Sequence, residues 1–444
     1  MTDVMKNASM PLPFIYTPHP VVGMAPETLD RYITGNDPDT HKPVIDEIIE
    51  ALTKPIAKEA IDLYSSDNVK INTERVVLQP DTEENLQSEF YKRGWTDGLP
   101  IILPTEERVN RMLSGTAASP DKLVSEVMQP ETKEVTRNTV ADIAVIAVMA
   151  GAGPEHFPVI LALAATNQSA LTPSTTPFAA MILVNGPIRN EIGINAGIGA
   201  YSPLNKANSV IGRAWTLMSA CAGFNKPERT FWSAQGNNLT YNSMCAAENE
   251  EKSVWTPFHV QKGFRAEESV VSVFRGWNML NSLHCAASRT VGEEIDLQLS
   301  VIPALNSNAT IIMDPSVAKN LKENEGFQTK QDFCRWLSTN VKIPAGRYWR
   351  TDYIDMLVAS QADQGVEPYA LWKKAPEDEM IPHYHNPDNI NIIIVGGETS
   401  PLWKTSDYRY ITSASIDQWR PAKSVDQCQD GSCGLPDAPT DYDK

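Results

Sequence analysis

Three short apolar runs that end in turn residues constrain the fold of this chain more than any other feature. They cover residues 180–184, 309–313 and 390–395, and they stop at Asn-Gly-Pro, Asp-Pro and Gly-Gly-Glu. Apolar runs of this length between turn residues are typical of buried strands. Helical patterns, with apolar residues three and four apart, lie between them. Strands that alternate with helices predict an α/β fold.

The length of 444 residues suggests two or three domains. We predict two mixed α/β domains, a main one over 86–270 that contains the candidate site and a second one over 271–420. An extended, Pro-rich N-terminal arm with one helix occupies 1–85, and an acidic, Cys-containing tail occupies 421–444. Such arms often lie along a neighbouring subunit, so we expect a homo-oligomer, with packing on the chain's own body as the alternative.

The other predicted elements come from periodicity and capping signals. A helix that begins near Thr105 has Glu106 and Glu107 in its first turn, which suits the helix dipole. Further helices are predicted over 44–52, 86–93, 139–149, 158–166, 209–222, 317–323, 330–338 and 353–361, and a short strand over 101–103.

The charge balance excludes two classes of partner. With 38 Lys+Arg and 55 Asp+Glu the formal net charge is −17. Nucleic acids and anionic membrane surfaces both require clustered Lys and Arg, and no such cluster is found. The most apolar segment, 140–152, contains Asp142 and is shorter than the ~20 residues of a membrane-spanning helix, so a buried helix is predicted. The start of the chain does not resemble a secretion signal and the six cysteines are sparse, which indicates a reduced, cytoplasmic protein.

A glycine-spaced loop before the helix at 209–222 is the first candidate site. Gly197 and Gly199 allow backbone N–H groups to converge on an anion, and Arg213 could add a full positive charge. The loop matches neither of the nucleotide-binding glycine patterns. The alternative is a tight loop in which Asn208 only caps the helix.

An acidic run is the second candidate. Cys245, Glu248 and Asn249 share one side if the segment is helical, and Glu250 and Glu251 follow. Burial of one carboxylate in such a group would raise its pKa towards the range useful for acid–base catalysis. The sequence favours the alternative, a solvated acidic face.

His383 and His385 form the third candidate. In an extended segment, residues two apart point the same way, so both imidazoles could bind one divalent metal ion. Glu398, Asp407 or His284 could supply a third ligand. Two histidines in a Pro-flanked surface loop are the alternative.

Cys428 and Cys433 in the tail are the fourth candidate, because four intervening residues with a glycine turn allow the two sulfurs to approach each other. A mobile dithiol could exchange electrons with a buried site. Asp430 disfavours a thiolate, and two unreactive thiols are the alternative.

Several phrases between residues 86 and 270 resemble, as a set, an uncharacterised bacterial family. The phrases are GWTDGLP at 94–100, PTEERV at 104–109, VMAG at 148–151, PEHFP at 154–158, NGPI at 185–188, ANSVIGRA at 207–214 and AENE at 247–250. That family is often named alongside the UGSC-type seleno- and thiol proteins, which are tied to the selenoprotein-B subunits of glycine and D-proline reductases. The chain departs from it at Ala152, where relatives tend to carry cysteine.

The resemblance implies redox or carbon–heteroatom bond chemistry, and together with the candidates above it predicts an enzyme that acts on a small anionic organic molecule. The alternatives are a metal- or acid/base-assisted lyase or hydratase, and a non-catalytic metal-handling or accessory subunit. The predicted catalytic residues are Glu248, Asp97 and Cys245, and the predicted substrate-binding residues are Asn185, Asn208, Arg213, Asn249, Gly197 and Gly199.

Overall fold

The structure is a computed structural model. It describes residues 25–37, 40–55, 71–72, 76–128, 135–172, 176–221, 235–282 and 289–421, together with residues 15 and 233. Most of the Pro-rich arm lies outside these ranges, as do His284 and the tail with Cys428 and Cys433.

The strands of the described residues are numbered β1 to β13 in chain order. They are Ile71–Asn72, Leu123–Met128, Val135–Thr139, Ala179–Asn185, Cys245–Ala247, Val270–Gly276, Met279–Asn281, Ala309–Met313, Lys342–Pro344, Met380–Pro382, Ile390–Ile394, Trp403–Ser406 and Arg409–Ser415.

The α-helices of the same residues are numbered α1 to α15. They are Pro26–Thr34, Val44–Thr53, Glu83–Lys92, Glu106–Leu113, Val140–Met149, Phe157–Ala165, Ile188–Glu191, Lys206–Cys221, Phe258–Gln261, Val291–Leu299, Pro315–Glu323, Lys330–Asn340, Ala345–Trp349, Asp352–Asp363 and Tyr369–Lys373.

Two four-stranded sheets organise the chain, and the predicted α/β class is confirmed. The first sheet has the order β13-β6-β4-β5, and the second has the order β11-β8-β12-β7. Within the first sheet β4 and β5 are parallel, and within the second β8 and β11 are parallel. The last strand of the first sheet, β13, follows all strands of the second sheet in the chain.

The two sheets pack face to face, and helices cover their outer faces. Met181 and Leu183 on the first sheet and Ile312 and Ile393 on the second belong to one apolar cluster between the sheets. The β4 residues next to Met181 and Leu183 point to the opposite face of the sheet, where they contact α5, α6 and α8 in a second cluster. The alternate residues of β8 and β11 contact α10, α11 and α12 in a third. Because side chains of a strand alternate between its faces, the strands β4, β8 and β11 are buried on both sides.

A smaller unit lies beside the second sheet. Strands β9 and β10 form an antiparallel pair, and helices α13, α14 and α15 pack around their own apolar core. This core includes Tyr348, Tyr369 and Trp372. The unit positions the segment that carries His383 and His385.

Two local predictions are wrong. Residues 101–103 do not join a sheet, because the Gln87 side chain bonds to both backbone groups of Ile101 and the N–H of Ile102 donates to the Met149 carbonyl. The segment that begins at Cys245 is not helical, because 245–247 pairs with β4 as strand β5. The predicted helices over 44–52, 139–149, 158–166, 317–323, 330–338 and 353–361 are confirmed within two residues at each end.

Candidate functional site

A cleft of about 470 Å³ opens at the carboxyl ends of the parallel strands β8 and β11. Loop residues 197–202 form one wall, and the loop that follows β11, from Gly396 to Ser400, forms another. Asp314, Asn281 and Lys404 also line it. Open α/β sheets bind their ligands at this edge of parallel strands, so the position and size of the cleft suit a small molecule.

The two loops of the cleft are in direct contact. The N–H of Gly396 donates to the Ala196 carbonyl at 2.8 Å. A Cβ atom on Gly397 would lie 2.1 Å from the Ile198 Cγ1, so this approach requires glycine. The predicted residues Gly197 and Gly199 therefore lie in the cleft wall, where a ligand loop is expected.

Asn208 holds the first loop in place. Its Oδ1 accepts from the Asn195 N–H at 2.8 Å, and its Nδ2 donates to the carbonyls of Asn195, Ala200 and Cys245 at 3.0–3.2 Å. The side chain is 4% exposed. All these contacts are internal, so Asn208 ties both ends of the loop to strand β5.

Asp314 and Lys404 are the carboxylate and the ammonium side chain in the lining of the cleft. Asp314 caps α11 by accepting from the Val317 N–H at 3.0 Å, and it accepts from the Leu402 N–H at 2.6 Å. The Lys404 Nζ donates to Asn281 Oδ1, and burial lowers the pKa of this ammonium. Neither residue was predicted from the sequence. The Asp-Pro after the run at 309–313 was a signal for Asp314, whereas Lys404 lies in a strand that the sequence did not predict.

Glu248 lies beneath the cleft in a buried ion pair. Its Oε1 is 2.8 Å from the Lys330 Nζ, and its Oε2 accepts from Asn185 Nδ2 at 2.7 Å and from the Phe258 N–H at 2.6 Å. Glu248 is 0% exposed and Lys330 is 2% exposed. The sequence favoured a solvated acidic face, and this prediction is wrong for Glu248. The residue is buried, and Lys330, from a helix that packs on the second sheet, neutralises its charge.

Asn249 completes the link between the sheets. Its N–H donates to the Ile394 carbonyl at 2.8 Å, and its Nδ2 donates to the Gly396 carbonyl at 2.9 Å. The predicted site residues Asn185, Glu248 and Asn249 thus come together where β4, β5 and β11 end.

Arg189 organises the other two carboxylates of the acidic run. Its guanidinium lies 2.9 Å from Glu251 Oε1 and 3.1 Å from Glu250 Oε2, and it donates to the Glu248 carbonyl at 2.7 Å. Hydrogen bonding to Arg189 lowers the pKa of Glu251 to about 2. The Glu251 carboxylate is therefore held ionised by a buried arginine that also contacts Glu250, and sequence reasoning did not single out this arginine.

Asp97 and Arg213 form a pair of their own. Two hydrogen bonds join them, Nε to Oδ2 at 2.8 Å and Nη2 to Oδ1 at 3.0 Å, and Arg213 also donates to the Pro100 carbonyl. The bidentate pair fixes the loop at 94–100 against helix α8. The charge of Arg213 is satisfied by this carboxylate.

Cys245 lies in β5 and is 5% exposed. Burial raises the pKa of its thiol well above the ordinary range, and burial also raises the pKa of Cys334. Both thiols are therefore protonated at neutral pH, which removes the thiolate that redox chemistry requires.

His383 and His385 make separate contacts. His383 Nε2 donates to the Ile302 carbonyl at 2.7 Å and its ring lies edge-on to Tyr348. His385 Nδ1 is 2.8 Å from the Ser307 hydroxyl, and its ring contacts Trp372. Of the proposed third ligands, Glu398 pairs with Lys252 and Asp407 accepts from the backbone of 277 and 278. No group of three or more His, Cys, Asp or Glu in the described residues is placed to hold a metal ion.

The buried imidazole of His383 predicts acid sensitivity. Burial lowers its pKa to about 4, whereas an unfolded histidine has a pKa of about 6.5. Because the unfolded state binds the proton first as the pH falls, stability that is present above about pH 6.5 should be lost between about pH 6.5 and about pH 4. Denaturant unfolding should be measured at both ends of this pH window. The free energy of unfolding should fall less on acidification for His383→Gln than for the wild type.

The exposed His41 supplies the control for that experiment, because His41→Gln removes an imidazole that lies at the surface. This variant should show the wild-type loss. Equal losses in His383→Gln and the wild type would contradict the prediction.

Comparison with known proteins adds no relative. The chain matches no family model, no curated protein and no solved structure. Among the described residues, none of the helices combines the length and apolar character that a membrane crossing requires. Function must therefore be inferred from the site itself.

Proposed function

We propose that this chain is an enzyme that acts on a small organic molecule with an anionic group, bound in the cleft at the carboxyl ends of β8 and β11. The observation that supports the proposal is the composition of the cleft. It has a volume of about 470 Å³, and both a basic side chain, Lys404, and an acidic side chain, Asp314, line it. The Lys404 ammonium supplies the charge that attracts the anionic group. The glycine-containing loop at 197–202 brings backbone close to it.

Acid–base assistance at a carbon–heteroatom bond is the reaction class that these groups support best. Burial lowers the pKa of Lys404, which makes its ammonium group a better proton donor to the bound molecule. A thiol-based redox reaction would depend on Cys221, Cys285, Cys428 or Cys433, because burial keeps the thiols of Cys245 and Cys334 protonated. Of these four cysteines, Cys285, Cys428 and Cys433 lie outside the described residues. The resemblance to thiol and selenoprotein reductases thus receives less support than the lyase or hydratase alternative.

Replacement of Lys404 by methionine should weaken ligand binding in the cleft. We expect at least one of the small carboxylates succinate, malate, lactate and pyruvate to bind the wild type in calorimetric titration. The affinity of Lys404→Met for it should be lower by about tenfold or more, because a charge-assisted contact is lost.

Lys342→Met is the matched control, since Lys342 is exposed in β9, away from the cleft. It should bind as the wild type does. If none of the four carboxylates binds the wild type, or if Lys404→Met binds equally well, the proposed function is wrong.

A further inference from the structure

Two arginines lie directly opposite each other at the far end of the first sheet. Arg275 near the end of β6 and Arg409 at the start of β13 are register partners in an antiparallel pair. Side chains of such partners project from the same face of the sheet and lie side by side. Two like charges in this position repel each other, so the arrangement destabilises the sheet unless something compensates it.

Neither arginine has a carboxylate partner within the described part of the chain. Arg275 Nη2 makes two long contacts with neutral acceptors, Ser169 O at 3.2 Å and Gln168 Oε1 at 3.4 Å. Its Nε is buried and has no acceptor among the residues that the structure describes. Burial lowers the pKa of Arg275, and the charge of Arg409 lowers it further. In a chain with 55 acidic and 38 basic residues, two adjacent arginines without a counter-charge are unexpected.

The position of the pair leaves it accessible. Arg275 shares a face with Val271 and Val273, which contact the helices that cover the first sheet. The pair lies beyond the end of α6, where the segment with Gln168 and Ser169 follows. Arg409 is exposed and Arg275 is half-buried. Arg275 pairs with Ala180 at the start of β4, so the pair is at the opposite end of that strand from Asn185.

We propose that Arg275 and Arg409 together bind the phosphate group of a small molecule, either free phosphate or a phosphate monoester. Two adjacent guanidinium groups present several N–H donors to one tetrahedral oxyanion, which accepts from both. A bound phosphate would neutralise the repulsion between the arginines and would give both guanidinium groups a charged acceptor. This site is separate from the cleft with Lys404, and the inference does not depend on the proposed function.

Titration of the full chain with phosphate tests the proposal. Inorganic phosphate and methyl phosphate should each raise the midpoint of thermal unfolding of the wild type and should give a saturable signal in calorimetry. Arg409→Gln should bind both about tenfold or more weakly. Tighter binding of methyl phosphate would identify an organic phosphate as the ligand, and equal binding would identify the phosphate group alone.

Three further variants separate the site from other effects. Arg350→Gln removes the same charge from an exposed arginine that pairs with Glu377, and it should bind as the wild type does. Lys404→Met should also keep phosphate binding. Arg275→Lys keeps the charge but loses the planar donor group, so its affinity should fall while its fold is retained.

The anion-free protein gives a second readout. Without phosphate, Arg409→Gln should unfold at the same temperature as the wild type or at a higher one, because one of two repelling charges is gone. A lower midpoint would show that Arg409 has a partner within the protein and would overturn the proposal. Absence of phosphate binding by the wild type, or equal binding by Arg409→Gln, would also overturn it.

Discussion

Replacement of Lys330 by methionine should lower the free energy of unfolding by about 3–5 kcal/mol. The substitution leaves the Glu248 carboxylate without its cation at a position that is 0% exposed. The remaining donors to Glu248, from Asn185, Phe258 and Ile394, are neutral and cannot replace a full charge. Because the pair joins the first sheet to a helix of the second, the loss should weaken the contact between the sheets. Denaturant unfolding measures this change in the free energy of unfolding, provided that the slope against denaturant concentration is the same for the variant and the wild type.

Two comparisons make this prediction specific. Lys252→Met breaks the pair with Glu398, in which both side chains are about half exposed, and it should cost no more than about 1 kcal/mol. The double variant Glu248→Gln with Lys330→Met should recover part of the loss, since it removes the unpaired buried charge. A loss for Lys330→Met as small as that for Lys252→Met would show that Glu248 takes up a proton or water without difficulty.

Asn208→Ala should destabilise the protein by about 2–4 kcal/mol and should also loosen the first loop of the cleft. The variant removes the donor to three carbonyls and the acceptor for the Asn195 N–H, all on a side chain that is 4% exposed. Buried backbone groups that lose their partners are destabilising unless water solvates them. We expect the loop at 195–200 to move so that its backbone groups become hydrated. Hydrogen exchange of these amides should accelerate more than that of strand β4.

The exposed Asn190, which donates to Glu251, supplies the control for that experiment. Asn190→Ala should change stability by a few tenths of a kcal/mol, as surface substitutions usually do. If exchange in the loop at 195–200 is unchanged in Asn208→Ala, then the glycine loop is held by its contact with Gly396 and Gly397 rather than by Asn208.

The sequence was most informative where a strand ended in turn residues. The runs at 180–184, 309–313 and 390–395 are strands β4, β8 and β11, and polar residues after them lie at one edge because each sheet contains a parallel pair. Local sequence carries this information, since both the period of a strand and the turn after it depend on neighbouring residues. Asn185, which was predicted as a site residue from the resemblance, lies at the end of such a run.

Features that depend on distant partners could not be predicted. Whether Glu248 is solvated or buried is decided by Lys330, which lies 82 positions away in the chain. The roles of Arg189 and Lys404 likewise depend on which strands become neighbours. A run such as residues 101–103, which has the composition of a strand, finds its hydrogen bonds in a side chain and a helix end instead. Packing, rather than local preference, decided these cases.

The late position of strand β13 in the chain delays the completion of the first sheet during synthesis. Strand β6 is complete at Gly276, but its neighbour on that side begins only at Arg409. At a translation rate of about 5–20 residues per second, the ribosome leaves this edge of the first sheet unpaired for on the order of ten seconds. Unpaired edges recruit strands from other chains. The edge of β6 is therefore open to strands of other chains while the second sheet is being made.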